Sequence, residues 1–406
     1  MKYEKLLKSK MSAESFERLA ALKNPKVMEF VGFFAEHCDP DSIYVCTDSE
    51  EDMKYVRQQA LALGEEWPMR YPNHTVHWDS YYDQGRDKNA TKYLVYKENL
   101  ERMKALNSIE YETGIKEILD ISAGIMRGKQ AVVLFFAEGP TESPFTIPCV
   151  QFTDSWYVAH SEYILYRSAY NHFLKMKDSE KDDFFRFIHS AGRLDENNNS
   201  VDLDKRRVYI DTQNNIVYSM NNQYAGNSVG LKKHSMRLAI NKSGQEGWLC
   251  EHMFIMAAVN EEKNRKTYFC GAYPSACGKT STAMIPGELI VGDDIAYFRN
   301  INGEFRAVNV ENGMFGIIKD VNAKDDPVIF KNLMKDQEVI FSNVLVGPDG
   351  MPYWLGMGVE APDEGRNHFG KWHRGVKDSD GNVVDIAHPN ARYTMRLDYL
   401  DNIDKE

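Results

Sequence analysis

Apolar residues recur at three- and four-residue spacing through ESFERLAALKNPKVMEFVGFFAEH, a period that predicts helices near the N-terminus. The short run SIYVCT predicts a strand, so the stretch to about residue 115 mixes both element types. AVVLFFAEG, beginning at Ala131, is an unbroken apolar run closed by Gly139-Pro140, which predicts a buried strand ending in a turn. Residues 153–190 are rich in aromatics and read as helices, after which GRLDENNNSVDLDKR is polar and turn-forming. RVYIDTQNNIVYSM predicts a hairpin about Gln213-Asn214-Asn215. From Gly244, GQEGWLCEHMFIMAAV places Trp248, Leu249, His252, Met253 and Met256 at helical spacing and predicts a helix.

RKTYFCGAY then predicts a strand, PSAC a loop, and a helix opens at Gly278. ELIVGDD predicts a strand ending in two aspartates, and AYFRNINGEFRAV a hairpin turning at Asn302-Gly303. Strand, helix and strand alternate, so the second half is expected to be α/β. The division expected is an N-terminal domain over 1–225 and a second domain over 226–406.

Composition narrows the function classes. Of 406 residues, 43% are hydrophobic and 27% charged, which suits a chain with a substantial core. Forty-nine basic against 60 acidic residues give a net charge of −11, which argues against a general nucleic-acid binder. Six cysteines are scattered without a C-x-x-C pair, so neither a disulfide framework nor a cysteine zinc site is expected. The charged start, MKYEKLLKSK, lacks a signal peptide's apolar core, and no apolar run reaches bilayer length. A cytoplasmic location is the expectation.

The chemistry gathers at YPSACGKTS, residues 273–281. Gly278-Lys279-Thr280 matches the end of a phosphate-binding loop, although Tyr273 stands where the general pattern has its first glycine. A strand feeds this loop and a helix leaves it, so first-turn amides would face an anion. Lys279 adds a point charge, and the Thr280 hydroxyl suits a divalent metal. Fourteen residues beyond Thr280, Asp293-Asp294 would present a carboxylate to that metal from a parallel strand beside the loop.

YPSACGKTS, with VGDDIAY, NVENGMFG, YAGNSVGLKK, EGWLCEHM and HPNAR in order, resembles the GTP-type phosphoenolpyruvate carboxykinase family. That family's loop is aromatic-Pro-Ser-Ala-Cys-Gly-Lys-Thr, so the absent early glycine is the family's own design. The resemblance implies a mixed-sheet α/β N-terminal domain followed by a phosphoenolpyruvate carboxykinase-type P-loop domain. It implies decarboxylation of oxaloacetate to an enolate, which GTP phosphorylates to give phosphoenolpyruvate, CO2 and GDP, in gluconeogenesis.

Site roles follow from the same resemblance. A manganese ion at the enolate falls to Lys233, His252 and Asp294, with Lys232 the alternative to Lys233; a second Mg2+ or Mn2+ accompanies the nucleotide. A lysine ligand must be neutral, and a neighbouring cation lowers its pKa in that direction. Arg86 and Arg392 would grip carboxylate and phosphoryl groups, whose geometry a planar guanidinium matches. Tyr224, Ala225, Gly226, Ser275, Asn390 and Ala391 would complete the substrate site. Ala276, Cys277, Gly278, Lys279, Thr280, Ser281 and Arg392 would hold the nucleotide, with Cys277, Lys279 and Arg392 closest to catalysis. Ala225 stands where the family has glycine, and Ser281 where it often has asparagine.

Family members normally continue well past the position of Glu406, so the P-loop domain is expected to be incomplete and a second chain is a conceivable source of the remainder. Two other readings compete: a pyrophosphate-dependent relative or other phosphoryl-transfer enzyme, and a non-catalytic nucleotide- or metal-binding fragment.

Overall fold

The computed structural model describes residues 2–83, 89–273 and 278–406. The chain forms two compact units, Met1–Ala62 with Gly85–Gly247, and Leu63–Gln84 with Trp248–Glu406. Among the described residues no helix is long and apolar enough to cross a membrane.

The first unit is built on a nine-stranded mixed sheet. Its middle runs Gln130–Glu138, Ile147–Thr153, Phe185–Ser190, Ile216–Met220 and Arg207–Asp211, with both parallel and antiparallel neighbours. AVVLFFAEG is the strand its unbroken apolar run predicts, and the Arg207–Asp211/Ile216–Met220 hairpin forms as expected. Helix Pro25–His37 has its start set by local chemistry. Asn24 accepts hydrogen bonds from the Lys26 and Val27 amides, and Pro25 fills the first position, whose N–H has no helical partner. Val27, Val31 and Phe34 then bury against Val133, Phe152 and Ile188 in one core. Each such side chain contributes about 1.5–3 kcal/mol of transfer free energy.

The aromatic stretch 153–190 is not all helix. It forms helices Trp156–Leu165 and Tyr170–Lys175, but Phe185–Ser190 is a central strand, parallel to both of its neighbours. The six residues of that strand, FRFIHS, are too few to carry a period that separates a buried strand from a buried helix turn.

The second unit takes its first pieces from early in the chain. His74–His77 runs parallel to Val339–Ser342 in a five-stranded sheet ordered Gly313–Ile317, Arg392–Arg396, Val339–Ser342, His74–His77, Trp67–Pro68. Trp354, Phe341, Tyr393 and Met395 fill the core against it. A three-stranded sheet has Phe254–Asn260 at its centre, antiparallel to Arg265–Gly271 and to Leu289–Gly292.

Two expectations are corrected here. The helix predicted across 244–259 is two strands, Leu249–Glu251 and Phe254–Asn260; the helix of this region is Lys233–Glu246, which ends where the prediction began. Gly247, at φ +76°, takes the left-handed position that stops a helix, and the apolar spacing after it belongs to strands with a register shift at Ile255/Met256. His252 therefore lies at the bend between two strands, not on a helix. The strand leading to Asp293-Asp294 does run in the same direction as the strand leading to the loop. Phe254–Asn260 separates them, so they are not neighbours.

Candidate active site

Gly278 sits at φ +83° with open space where a Cβ would be, so glycine is needed for backbone conformation and not for room. The helix it caps, Lys279–Ala283, has five residues. Its dipole is correspondingly small, which leaves Lys279 as the larger source of positive potential. The Thr282 hydroxyl donates to the Gly278 carbonyl at 2.8 Å, and the Ser281 hydroxyl to Asp326 at 3.3 Å. Ser275, Ala276 and Cys277 lie outside the described residues, as does Arg86.

Asp294 joins the loop to His252. Its Oδ1 accepts from Lys279 Nζ and lies 2.6 Å from His252 Nε2, and the Lys279 ammonium also donates to the Asp294 carbonyl at 3.2 Å. The Lys279 and Asp294 side chains are 11% and 12% exposed, so water screens the pair little. An imidazole and a carboxylate side by side suit a divalent first-row cation. Among the described residues no group of three or more His, Cys, Asp or Glu side chains is arranged to hold a metal ion.

The HPNAR turn is held by a chain of hydrogen bonds, buried at its Asp79–Asn343 end, that sequence reading missed. Asp79, fully buried, lies 2.8 Å from His77 Nε2 and accepts from the Asn343 side-chain amide at 2.9 Å; its own N–H donates back to Asn343 Oδ1 at 2.8 Å. The Asn343 carbonyl accepts the His388 N–H at 3.1 Å. His388 Nδ1 accepts the Asn390 N–H at 2.9 Å, and the His388 carbonyl accepts that of Ala391. Asn390 Oδ1 in turn takes two hydrogen bonds from the Arg392 guanidinium, at 3.1 and 2.8 Å. That guanidinium lies over the Phe315 ring, 5.0 Å from its centroid. Ala391 is buried, in the core cluster beneath the turn. The only sequence signal for this scaffold was His388 inside HPNAR; Asp79 and Asn343 had none.

In the first unit, Tyr224 and Ala225 are buried, and Ala225–Ser228 is a single helical turn. Alanine in place of the family's glycine costs nothing at 225, because a helical backbone needs no positive φ. Gly226 is different: a Cβ there would lie 2.5 Å from the Tyr224 ring. Lys232 is buried and caps helix Lys233–Glu246, whose first residue, Lys233, is half-buried.

A family model described as the phosphoenolpyruvate carboxykinase N-terminal domain matches residues 29–244. A second, described as the phosphoenolpyruvate carboxykinase C-terminal P-loop domain, matches residues 248–406. The chain belongs to the phosphoenolpyruvate carboxykinase family. Curated relatives named phosphoenolpyruvate carboxykinase [GTP] agree with the GTP-type resemblance read from the motifs. That of Pyrococcus horikoshii is 54% identical over 98% of this chain and 63% of its own length. That of Saccharolobus solfataricus is 43% identical over 97% and 61%. A more distant one, from Anaeromyxobacter, is 32% identical over 91% and 61%. The chain thus spans just under two thirds of the length of these relatives.

Proposed function

We propose that this chain carries the substrate-, metal- and phosphate-handling groups of a GTP-dependent phosphoenolpyruvate carboxykinase of the cytoplasm. The reaction is decarboxylation of oxaloacetate to an enolate, followed by transfer of the γ-phosphoryl group of GTP to the enolate oxygen. The observation that carries the reading is the joint hold of Lys279 and His252 on Asp294, at the exit of the phosphate loop.

His252 and Asp294, with Lys233, would hold a manganese ion, and Thr280 the Mg2+ or Mn2+ that accompanies the nucleotide. A divalent cation bound there supplies positive charge to the enolate oxygen as carbon dioxide leaves. Lys279 exchanges its carboxylate partner for the β- and γ-phosphates when nucleotide arrives. Its charge then neutralises the transferring phosphoryl group, whose transfer depends mostly on positioning and charge. Arg392, levelled by Asn390 and Phe315, meets the substrate carboxylate or the phosphoryl group; Arg86 is its counterpart. Tyr224, Ala225, Gly226 and Ser275 line the substrate side, and Ala276, Cys277, Gly278 and Ser281 the nucleotide side.

The test is product analysis by 31P NMR of the purified chain with oxaloacetate, GTP and Mn2+. Phosphoenolpyruvate and GDP formed together, and lost in Lys279→Ala, support the reading. GTP hydrolysis to GDP and phosphate with oxaloacetate untouched would overturn it.

A further inference from the structure

The second unit also contains a cavity of about 520 Å3 with tryptophan walls. Trp67, Trp78 and Trp372 line it, together with Arg366, Lys371 and Glu364. Cavities that hold small molecules fall in the range of about 300–1,000 Å3. Two of the indoles are fixed: Trp78 Nε1 donates to the Val344 carbonyl and Trp372 Nε1 to that of Val384, both at 2.9 Å. Trp78 thus offers apolar surface with its one polar group satisfied, whereas Trp372, next to Lys371 along its strand, leaves its two-stranded ribbon on the opposite face from Lys371 and Arg366.

Arg366 is the unusual member. Its guanidinium lies over Trp67 at 3.9 Å and Trp78 at 5.0 Å from the ring centroids, which holds it in a defined plane. Its Nε is buried without a hydrogen-bond partner. Burial, with no acid to oppose it, holds its pKa below the ordinary arginine value. Directly across the ribbon formed by Glu364–Asn367 and Gly370–His373 stands a second cation, Lys371. Like charges directly opposite on paired strands repel, and no ion pair to Glu364 relieves either one. Glu364 itself faces His373. The cavity therefore offers apolar walls and two cations, with Glu364 on the same face of the ribbon but in an ion pair with neither.

We propose that this cavity binds a small organic carboxylate with a planar, apolar body, the ring lying against the indoles and the carboxylate taken by Arg366 and Lys371. A planar carboxylate meets the free edge of a stacked guanidinium bidentately, whereas a bare inorganic anion leaves the tryptophan walls in water. The site is independent of the carboxykinase reading, since no residue of it belongs to the phosphate loop, the Asp294 group or the HPNAR turn.

Isothermal titration of the full chain with indole-3-carboxylate, indole-3-carboxamide and inorganic phosphate tests this. Expected is saturable binding of the carboxylate at least about ten-fold tighter than of the uncharged amide or of phosphate. Arg366→Gln should remove that preference while leaving the melting temperature of the chain within a few degrees. Lys371→Gln, at an exposed position, should weaken carboxylate binding several-fold and serves if Arg366→Gln fails to fold. Equal binding of amide and carboxylate would overturn the anion assignment, and phosphate binding as tight as the carboxylate would overturn the role of the aromatic walls. Carboxylate binding unchanged in both variants, or absent from the parent chain, would overturn the site.

Discussion

His388 Nδ1 accepts the main-chain N–H of Asn390 at 2.9 Å, and that bond exists only while the imidazole is neutral. Burial pushes the His388 pKa down to about 4, against the attraction of Asp79. The rings of Tyr81 and His368 pack on it at 4.8 and 5.6 Å between centroids. The acceptor thus stays available across the neutral range, and with it the orientation of Asn390 under Arg392.

Replacement by asparagine keeps an acceptor oxygen close to the place of Nδ1, whereas leucine leaves the Asn390 N–H unpaired. An unpaired donor costs about 1–3 kcal/mol where it is fully buried, and less at this half-buried position. His388→Leu should weaken binding of oxalate, a small dicarboxylate, in the presence of Mn2+ by about five-fold. His388→Asn should stay within a few-fold of the parent. Calorimetry on the two variants decides it, and equal losses in both would mean that the histidine ring serves packing only.

Lys279 Nζ and His252 Nε2 both lie on Oδ1 of Asp294, so a metal ion held there as proposed would have to compete with Lys279 for that oxygen. Removing the competitor should strengthen Mn2+ binding in the absence of nucleotide, so Lys279→Gln is expected to bind the ion several-fold more tightly. In the parent chain GTP should tighten Mn2+ binding by drawing Lys279 away, and the variant should lose most of that coupling. Electron paramagnetic resonance titrations measure both, with His252→Ala and Asp294→Ala as controls that lose the tight site. A Lys279→Gln affinity equal to or weaker than the parent's would contradict this arrangement.

Cys38, Cys46, Cys149 and Cys250 are buried, and Cys270 is exposed with its thiol pKa raised by partial burial. Cys277, two residues before Lys279 in the loop sequence, should be the most reactive of the six because a nearby cation favours the thiolate. Brief alkylation followed by peptide mapping should label Cys277 first and Cys270 more slowly, with GTP protecting only Cys277. Label at Cys270 ahead of Cys277 would count against the loop assignment.

Two buried groups tilt stability with pH in opposite directions. His189, bonded to Thr153 at 2.7 Å and to the Asn222 carbonyl at 2.8 Å, has its pKa pushed down to about 4 by burial. The unfolded chain, with an ordinary histidine near 6.5, binds more protons below that value. Stability is therefore lost as pH falls from about 6.5 toward 4, with a slope approaching about 1.4 kcal/mol per pH unit. Glu162 is fully buried, neither carboxyl oxygen has a hydrogen-bond partner, and desolvation raises its pKa well above the usual carboxylate range. Its contribution is lost as pH rises above the unfolded carboxylate pKa. Urea unfolding at pH 5, 6, 7 and 8 should show a shallower acid limb in His189→Asn. The advantage of Glu162→Gln over the parent should grow from pH 5 to pH 8. A constant difference across that range would show that Glu162 does not change its proton count on unfolding.

The amino-acid sequence by itself determined the family, the order of the motifs and the local punctuation of the chain. Asn24-Pro25 starts a helix because cap and first-position chemistry are local, and Gly278 closes the phosphate loop because only glycine takes its backbone angles at no cost. The apolar run at Ala131 reads as a strand for the same local reason. Local period failed where burial was complete or two patterns overlapped. Phe185–Ser190 is a central strand whose aromatics also fit a helix, and the residues after Gly247 are strands with helical spacing. Tertiary structure alone decided that Leu63–Gln84 leaves its sequence neighbours for the second unit, where His74–His77 pairs with Val339–Ser342. It alone brought Asp79 to Asn343, a pairing of residues more than 260 positions apart that orients the HPNAR turn. No local rule encodes such a contact, because its free energy comes from satisfying buried polar groups that meet only once both strands are in place.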